Sequence, residues 1–297
     1  MNEKAAQRVR LLLVFFLFIA IAGYCLMPSF GERVISDVPY VDGKGEHSHL
    51  LDVYLPYYRN PFEKPRPLIV WIHGGAWRLG DKRATPIAVL PMLGYVAASI
   101  NYRLTNEAPY PAQLEDCRKA VDFLKKNCSK FGVDPKHIGV WGVSAGGHLA
   151  ALIGLTGKEP ANGPVPNIDS SVQAVCDWAG PSDFTTIAKQ ADSGNLLELN
   201  SPSGPVCQLL NCLPEDCPEE ALKASPVAYV HSHAPPFFIL HGELDNVVPT
   251  EQSRELAKRL TAFSVPNELH IVPGVKHDLN GGDLIWQSIH FFDRYLK

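Results

Sequence analysis

Ser144 stands in Gly142-Val143-Ser144-Ala145-Gly146-Gly147, a serine with a glycine two residues away on each side. That spacing permits a very sharp turn between a strand and a helix, from which the serine oxygen projects clear of the backbone. The preceding run HIGVWGVS is apolar and β-rich, and the following AGGHLAALIGL reads as a helix of small and apolar residues. A bare GxSxG recurs by chance; on a strand–helix junction it is specific. A hydroxyl at neutral pH is a poor nucleophile and needs a base held in the right orientation. Two downstream residues fit those needs. Asp245 lies in HGELDNVVP, past the apolar run PFFILHGE, and His277 follows NELHIVPG. Both are expected in loops at strand ends, on the sheet edge where Ser144 emerges. The chemistry expected is acyl transfer. His277 would take the Ser144 proton and later hand it to a leaving alcohol, while Asp245 would fix the imidazole tautomer and stabilise its charged form.

A third element supplies donors. His73-Gly74-Gly75-Ala76-Trp77 directly follows another apolar strand, and glycines there let backbone N–H groups approach a substrate carbonyl as an oxyanion hole. Gly75 and Ala76 are the expected donors, joined by the N–H of Ala145. Losing one such donor typically costs about 3–4 kcal/mol of transition-state stabilisation. Neighbouring polar residues are given structural roles. Asp183 in AGPSDF is the rival acid but lies outside the HGxxD setting. His148 sits one helical turn past Ser144 and is expected to pack against the elbow. His73 and His241 begin strand-end turns and are read as hydrogen-bonding residues. Trp77 and Tyr102 could line a pocket or pack in the core, and Glu243 and Asp278 are read as solvated.

These residues need a scaffold. LIVWIHGG, YVAASINYRL, HIGVWGVS, VQAVCDWAG, PFFILHGE and NELHIVPG read as six strands, the first several as continuous apolar runs of the kind buried on both faces of a sheet. VISDVPYVDG and HLLDVYLPYY read as two edge-type strands joined by the Gly43–Gly45 turn. Helices are expected over Gln113 to Asn127, after Ser144, over Glu251 to Leu260 and over about Asp283 to Tyr295. Strands alternating with helices imply a mainly parallel sheet covered on both faces. Residues 181–230, rich in Pro, Ser, Asn, Asp and Cys, break this rhythm and are read as a small cap over the site. The main domain is expected over residues 28–297.

The composition is that of an ordinary globular domain: 46% hydrophobic and 20% charged over 297 residues. A net charge of -4 excludes the basic footprint of a nucleic-acid binder. The first 27 residues differ. Lys4, Arg8 and Arg10 precede an apolar run from Leu11 to Met27, the pattern of an exported chain. Cleavage after Ala22 and retention as a membrane anchor both stand as readings, since the run is about the minimum length that spans a bilayer. Lipid attachment at Cys25 is disfavoured by the bulky Tyr24. The chain is therefore expected outside the cytoplasm, secreted or membrane-attached. Of the remaining cysteines, Cys117 and Cys128 are placed on one helix, too far apart to bond at about 1.5 Å per residue. Cys207, Cys212 and Cys217 crowd one segment where a local bridge is reasonable, and the pairing of these with Cys176 is not readable. No paired CxxC spacing suggests zinc.

LDVYLP, WIHGGAW, NYRL, YPAQLEDCRKAVDFL, IGVWGVSAGGHLA and HGELDNVVP together resemble the α/β-hydrolase superfamily. They look closest to its hormone-sensitive-lipase-like esterases and to the bacterial feruloyl or acetyl-xylan esterase (BD-FAE-like) group, over about Leu51 to the C-terminus. Ala76 departs from the glycine many relatives carry, leaving its backbone donor intact. The resemblance implies an α/β-hydrolase fold and acyl-enzyme hydrolysis of carboxylic esters without metal or cofactor. Small or medium acyl esters are expected as substrates, including those decorating polysaccharides. A prolyl-oligopeptidase-type serine peptidase is a rival on the same scaffold, disfavoured because no β-propeller sequence precedes the hydrolase motifs. A catalytically silent binding protein is the rival from another class, disfavoured by the complete set of Ser144, Asp245 and His277. Long-chain lipase activity fits poorly with a short, polar cap.

Overall fold

In the computed structural model, which describes residues 32–41, 46–56, 64–157, 168–191, 195, 197–199, 201–279 and 281–297, eight strands form one sheet. They are β1 (Glu32–Pro39), β2 (Leu50–Pro56), β3 (Arg66–Ile72), β4 (Val96–Ile100), β5 (Val133–Val143), β6 (Ala174–Trp178), β7 (Phe237–Gly242) and β8 (Asn267–Val272). Their spatial order is β1-β2-β4-β3-β5-β6-β7-β8. β3 to β8 pair in parallel, and β1 and β2 add on antiparallel beside β4. The leader, the Gly43–Gly45 turn and the start of the Pro61–Pro67 stretch lie outside the described residues. Among the described residues, no helix is long and apolar enough to cross a membrane.

One strand differs from expectation. β2 is not at an edge; it lies between β1 and β4, with Leu51 and Val53 fully buried. It also carries a charged residue, Asp52. In the fold that carboxylate is buried and accepts from the Lys82 ammonium at 2.7 Å, which also reaches Asp37 at 2.8 Å. Pairing is what allows an ionised group inside a sheet. β4, β6 and β7 are buried along their whole length, as continuous apolar runs require, whereas β8 at the far edge is only half-buried.

Helices cover both faces. On one lie α1 (Ala112–Lys126), the short α2 (Cys128–Phe131) and α3 (Ala145–Thr156). Cys128 therefore belongs to a separate turn beyond α1, not to the helix of Cys117, because Asn127 interrupts the run; both thiols are free. α3 is apolar all round because it is enclosed. One side packs on the sheet, and the other meets α1 and the segment between β6 and β7. That segment carries α4 (Ile187–Gln190), α5 (Pro205–Leu210), α6 (Pro218–Lys223) and a 3-10 turn at Pro226–Tyr229. A Cys212–Cys217 disulfide joins the end of α5 to the start of α6, the local bridge the cysteine crowding suggested. Cys176 and Cys207 stay free. The polar composition of this segment describes its outer surface. Phe184, Leu199, Val206, Leu209 and Ala224 are buried in the same core as Leu149 and Ile153 of α3. α7 (Thr250–Ala262) and α8 (Gly282–Leu296) complete the chain, each extending the expected span by a residue or two.

The junction of β5 and α3 is held by close backbone contacts. A Cβ on Gly146 would lie 2.0 Å from the Ile72 carbonyl oxygen, and one on Gly142 would lie 2.1 Å from the Gly146 oxygen. These are backbone atoms of the central sheet and its first helical turn, so they cannot step aside cheaply. Gly146→Ala is therefore expected to destabilise the protein by about 2–4 kcal/mol in urea unfolding. Gly282→Ala, where the added methyl meets open space, should stay within about 0.5 kcal/mol.

Candidate active site

Ser144 adopts φ 56 and ψ -121 between the last residue of β5 and the first of α3. A non-glycine residue held there stores strain, and such strain persists only where the surroundings over-determine it. Here the Ser144 N–H donates to the Trp178 carbonyl at 2.7 Å, and its own carbonyl accepts from the His148 N–H at 3.0 Å. The turn is pinned at both ends, which leaves the side chain at the C-terminal edge of the sheet.

Asp245 sits in the turn after β7, and its carboxylate is saturated. Oδ1 accepts from the Val247 and Val248 N–H groups at 2.8 and 2.9 Å. Oδ2 accepts from His277 Nδ1 at 2.6 Å and from His241 Nε2 at 3.0 Å. Burial works against the ionised carboxylate, but the hydrogen bonds from His241 and His277 outweigh it and hold its pKa well below the ordinary value. Because Asp245 can only accept, the neutral tautomer that fits this contact carries its proton on Nδ1 and its lone pair on Nε2. An imidazole in that tautomer can take a proton. His277 is partly exposed, and it borders the same cavity as Val143, the residue before Ser144. Among the described residues no hydrogen bond joins Ser144 Oγ to His277; such contacts are often long before substrate tightens a site.

The loop after β3 flanks the serine. A Cβ on Gly74 would come within 3.3 Å of Ser144 Cβ. Gly75, Ala76 and Trp77 all have positive φ (115, 54 and 58), a reversal that Arg78 and Leu79 close by donating their N–H groups to the Gly75 carbonyl. Among the described residues no backbone partner takes up the N–H groups of Gly75 and Ala76. Ala145, first residue of α3, presents a first-turn N–H, which a helix cannot satisfy internally. The loop that carries Gly75 and Ala76 and the first turn of α3 thus both adjoin Ser144.

The remaining polar residues fall into supporting places. Trp77 Nε1 donates to His148 Nδ1 at 3.2 Å, and His148 Nε2 donates to the Ala224 carbonyl at 2.8 Å. Both ring nitrogens are thus committed, and burial lowers the His148 pKa to about 4, so it stays a neutral strut between the loop, α3 and the insertion. Trp77 and Tyr102 are core residues, with Tyr102 Oη donating to the His73 carbonyl at 2.9 Å and its ring stacked on His73. Asp183 is occupied by Thr185, whose N–H and hydroxyl both bind Oδ1. Glu243 is exposed but accepts from the Gly274 N–H at 3.0 Å, and Asp278 is exposed.

Two residues exceed what the motifs suggested. His241 is fully buried; Nε2 donates to Asp245 and the Val248 carbonyl, and Nδ1 meets Ser253 Oγ at 2.7 Å. It braces the acid as well as its own turn, a pairing hinted at only by the HGxxD spacing. Asp177, on β6, had no signal in an apolar strand. Its side chain lies under the serine turn, with Oδ1 accepting from the Gly180 N–H at 2.9 Å and Oδ2 without a partner among the described residues. A Cβ on Gly147 would lie 2.3 Å from Asp177 Oδ1. Burial pushes its pKa up from 3.8 to about 6, against the Gly180 bond and nearby His241. A raised carboxyl pKa means the fold prefers the protonated form, so this stability is present in acid and lost as pH rises through about 6. That rise corresponds to about 3 kcal/mol. Asp177→Asn cannot ionise, so its stability relative to the parent should improve by about that amount between pH ~4 and ~7 in urea unfolding. A difference that stays flat with pH would show that Asp177 ionises as freely in the fold as out of it.

The chain is similar to known proteins in sequence and in fold. The BD-FAE family model matches residues 51–260. Esterase LipQ of Mycobacterium tuberculosis is 35% identical over 232 residues, 76% of this chain and 52% of LipQ. The chain spans about half the length of the curated relatives it matches. Among solved structures, a truncated carbohydrate esterase from gut microbiota superposes with a TM-score of 0.79 at 29% identity, covering 90% of this chain and 97% of that one. A bifunctional GH43-CE protein of Bacteroides eggerthii gives 0.77 at 31% identity, covering 88% of this chain and 35% of the other.

Proposed function

Because the chain belongs to the BD-FAE family, with an α/β-hydrolase fold, we propose that it is a serine carboxylic-ester hydrolase acting on small to medium acyl esters. The observation that carries the mechanism is the Asp245–His277 pair. Its 2.6 Å hydrogen bond fits the neutral tautomer with its lone pair on Nε2, in a residue that borders the same cavity as Val143, next to the strained Ser144. In this mechanism His277 removes the Ser144 proton as Oγ adds to the ester carbonyl. The oxyanion is met by the N–H groups of Gly75, Ala76 and Ala145. Collapse of the tetrahedral intermediate breaks the bond to the alcohol oxygen, which receives the proton from His277 Nε2. Water, deprotonated by the same imidazole, then attacks the acyl-enzyme and releases the acid and Ser144. The esterase names of the relatives, LipQ among them, support the reaction class.

The test is hydrolysis of p-nitrophenyl acetate and butyrate together with labelling by a fluorophosphonate probe, the adduct being mapped by peptide mass spectrometry. Turnover with the adduct on Ser144 is expected; a protein that neither turns over these esters nor takes up the probe would be a silent relative. Esters linked to sugars are a second reading, favoured by the names of the two structural neighbours. Export is proposed as well. The charged-then-apolar leader and the Cys212–Cys217 bridge, a bond suited to an oxidising compartment, support it. The segment 181–230 is proposed as a cap, supported by its contacts with the His73–Trp77 loop, where Phe184 packs on Trp77 at 5.7 Å.

A further inference from the structure

A cavity of about 550 Å³ opens beside His277, on the sheet face opposite α3. Its lining includes Val143 and Trp178 at the ends of β5 and β6, Trp71 of β3, Leu279, and Ile285 of α8. We propose that this cavity receives the alcohol half of the ester and that the group it selects is an apolar alcohol, not a sugar. The inference rests on the serine-hydrolase reading above. In that mechanism the leaving oxygen takes its proton from His277, so whatever the oxygen carries must lie against this imidazole.

The walls decide the chemistry. Trp71 Nε1 already donates to the Ala84 carbonyl at 3.0 Å, and Trp178 Nε1 donates to Ser288 Oγ at 3.0 Å. Thr85 Oγ1 accepts from the Ile87 N–H at 3.3 Å, and His277 Nδ1 is committed to Asp245. The indole donors are thus engaged within the protein, and besides His277 Nε2 the side-chain polar groups left in the lining are the Thr85 hydroxyl hydrogen and the exposed Asp278 carboxylate. A sugar ring with several hydroxyls entering such a space would recover few of the hydrogen bonds to water that it gives up. Each buried hydroxyl left without a partner opposes binding. An alkyl or alicyclic group gains by the same burial. The volume falls within the range of small-molecule sites, roughly 300–1,000 Å³.

The experiment holds the acyl group constant and varies the alcohol. Ethyl, hexyl and cyclohexylmethyl butyrate are compared with glucose butyrylated on its primary hydroxyl, reading kcat/KM on the purified protein. The hexyl and cyclohexylmethyl esters are expected to exceed the glucose ester at least tenfold. Two variants tie the preference to the cavity. Ile285→Asn should pull the hexyl-to-glucose ratio toward one, and Ala84→Leu should lower cyclohexylmethyl relative to ethyl at least threefold. Because each readout is a ratio within one preparation, partial loss of folded protein cancels. Equal rates on hexyl and glucose esters, or a preference untouched by both variants, would overturn the proposal while leaving the esterase reading in place. No turnover of any ester, with no probe on Ser144, would overturn both.

Discussion

Ser144→Ala is expected to lower kcat on p-nitrophenyl butyrate by a factor on the order of 10⁵–10⁶ and to abolish fluorophosphonate labelling. Comparable losses follow when a serine nucleophile is removed from an intact triad, because histidine and acid act only through it. The fold should hardly notice. Alanine retains the Cβ and inherits the same φ of 56, so the strain of the turn is unchanged. The hydrogen bonds that pin it use backbone atoms, Ser144 N–H to Trp178 and His148 N–H to Ser144, and survive the change. The urea midpoint should therefore stay close to that of the parent. Residual turnover above the water rate is expected from the oxyanion donors. A variant that keeps more than about one-hundredth of parental kcat would remove Ser144 from the chemistry.

Asp245→Asn is expected to damage both rate and fold, in a way that distinguishes it from Ser144→Ala. The carboxylate accepts four hydrogen bonds, two at Oδ1 from backbone N–H groups and two at Oδ2 from His277 and His241. An asparagine amide must turn its NH₂ toward one of these donor pairs in either orientation, and none of the four can accept as it stands. If the NH₂ faces the imidazoles, His277 must shift its proton to Nε2, where it can no longer act as a base. Loss of the correct tautomer costs on the order of 10⁴ in kcat. If it faces Val247 and Val248, two backbone donors lose partners in a partly buried turn, at about 1–3 kcal/mol each. The expected result is a fall in kcat near 10⁴-fold with a lowered urea midpoint. Parent-like kcat would show that another acid serves His277.

The residue types and their order along the chain pointed to the proposed chemistry before any coordinates. A glycine-flanked serine, an aspartate in HGxxD and a histidine past the last strand are local signals, each legible because sharp turns and strand ends restrict which residues fit. The six parallel strands were legible for a similar reason: continuous apolar runs have few places to go except a sheet covered on both sides. β2, expected at an edge, is flanked by β1 and β4 and buries Asp52. Only folding brings Lys82 to it from the loop after β3, and a charge pair distant in sequence leaves no local trace. Asp177 was silent for the same cause, since its meaning lies in contact with the serine turn from a neighbouring strand.

What sequence alone determined, then, was the set of candidate reacting groups and the mainly parallel frame that carries them. Tertiary structure decided the rest: that His241 shares Asp245 with His277, that His148 is a strut with both nitrogens engaged, and that the tryptophans beside His277 have spent their donors within the protein. Motifs are read from neighbours in the chain, whereas hydrogen-bond capacity is divided among neighbours in space. The second division sets which proton can move and what an adjoining cavity can hold.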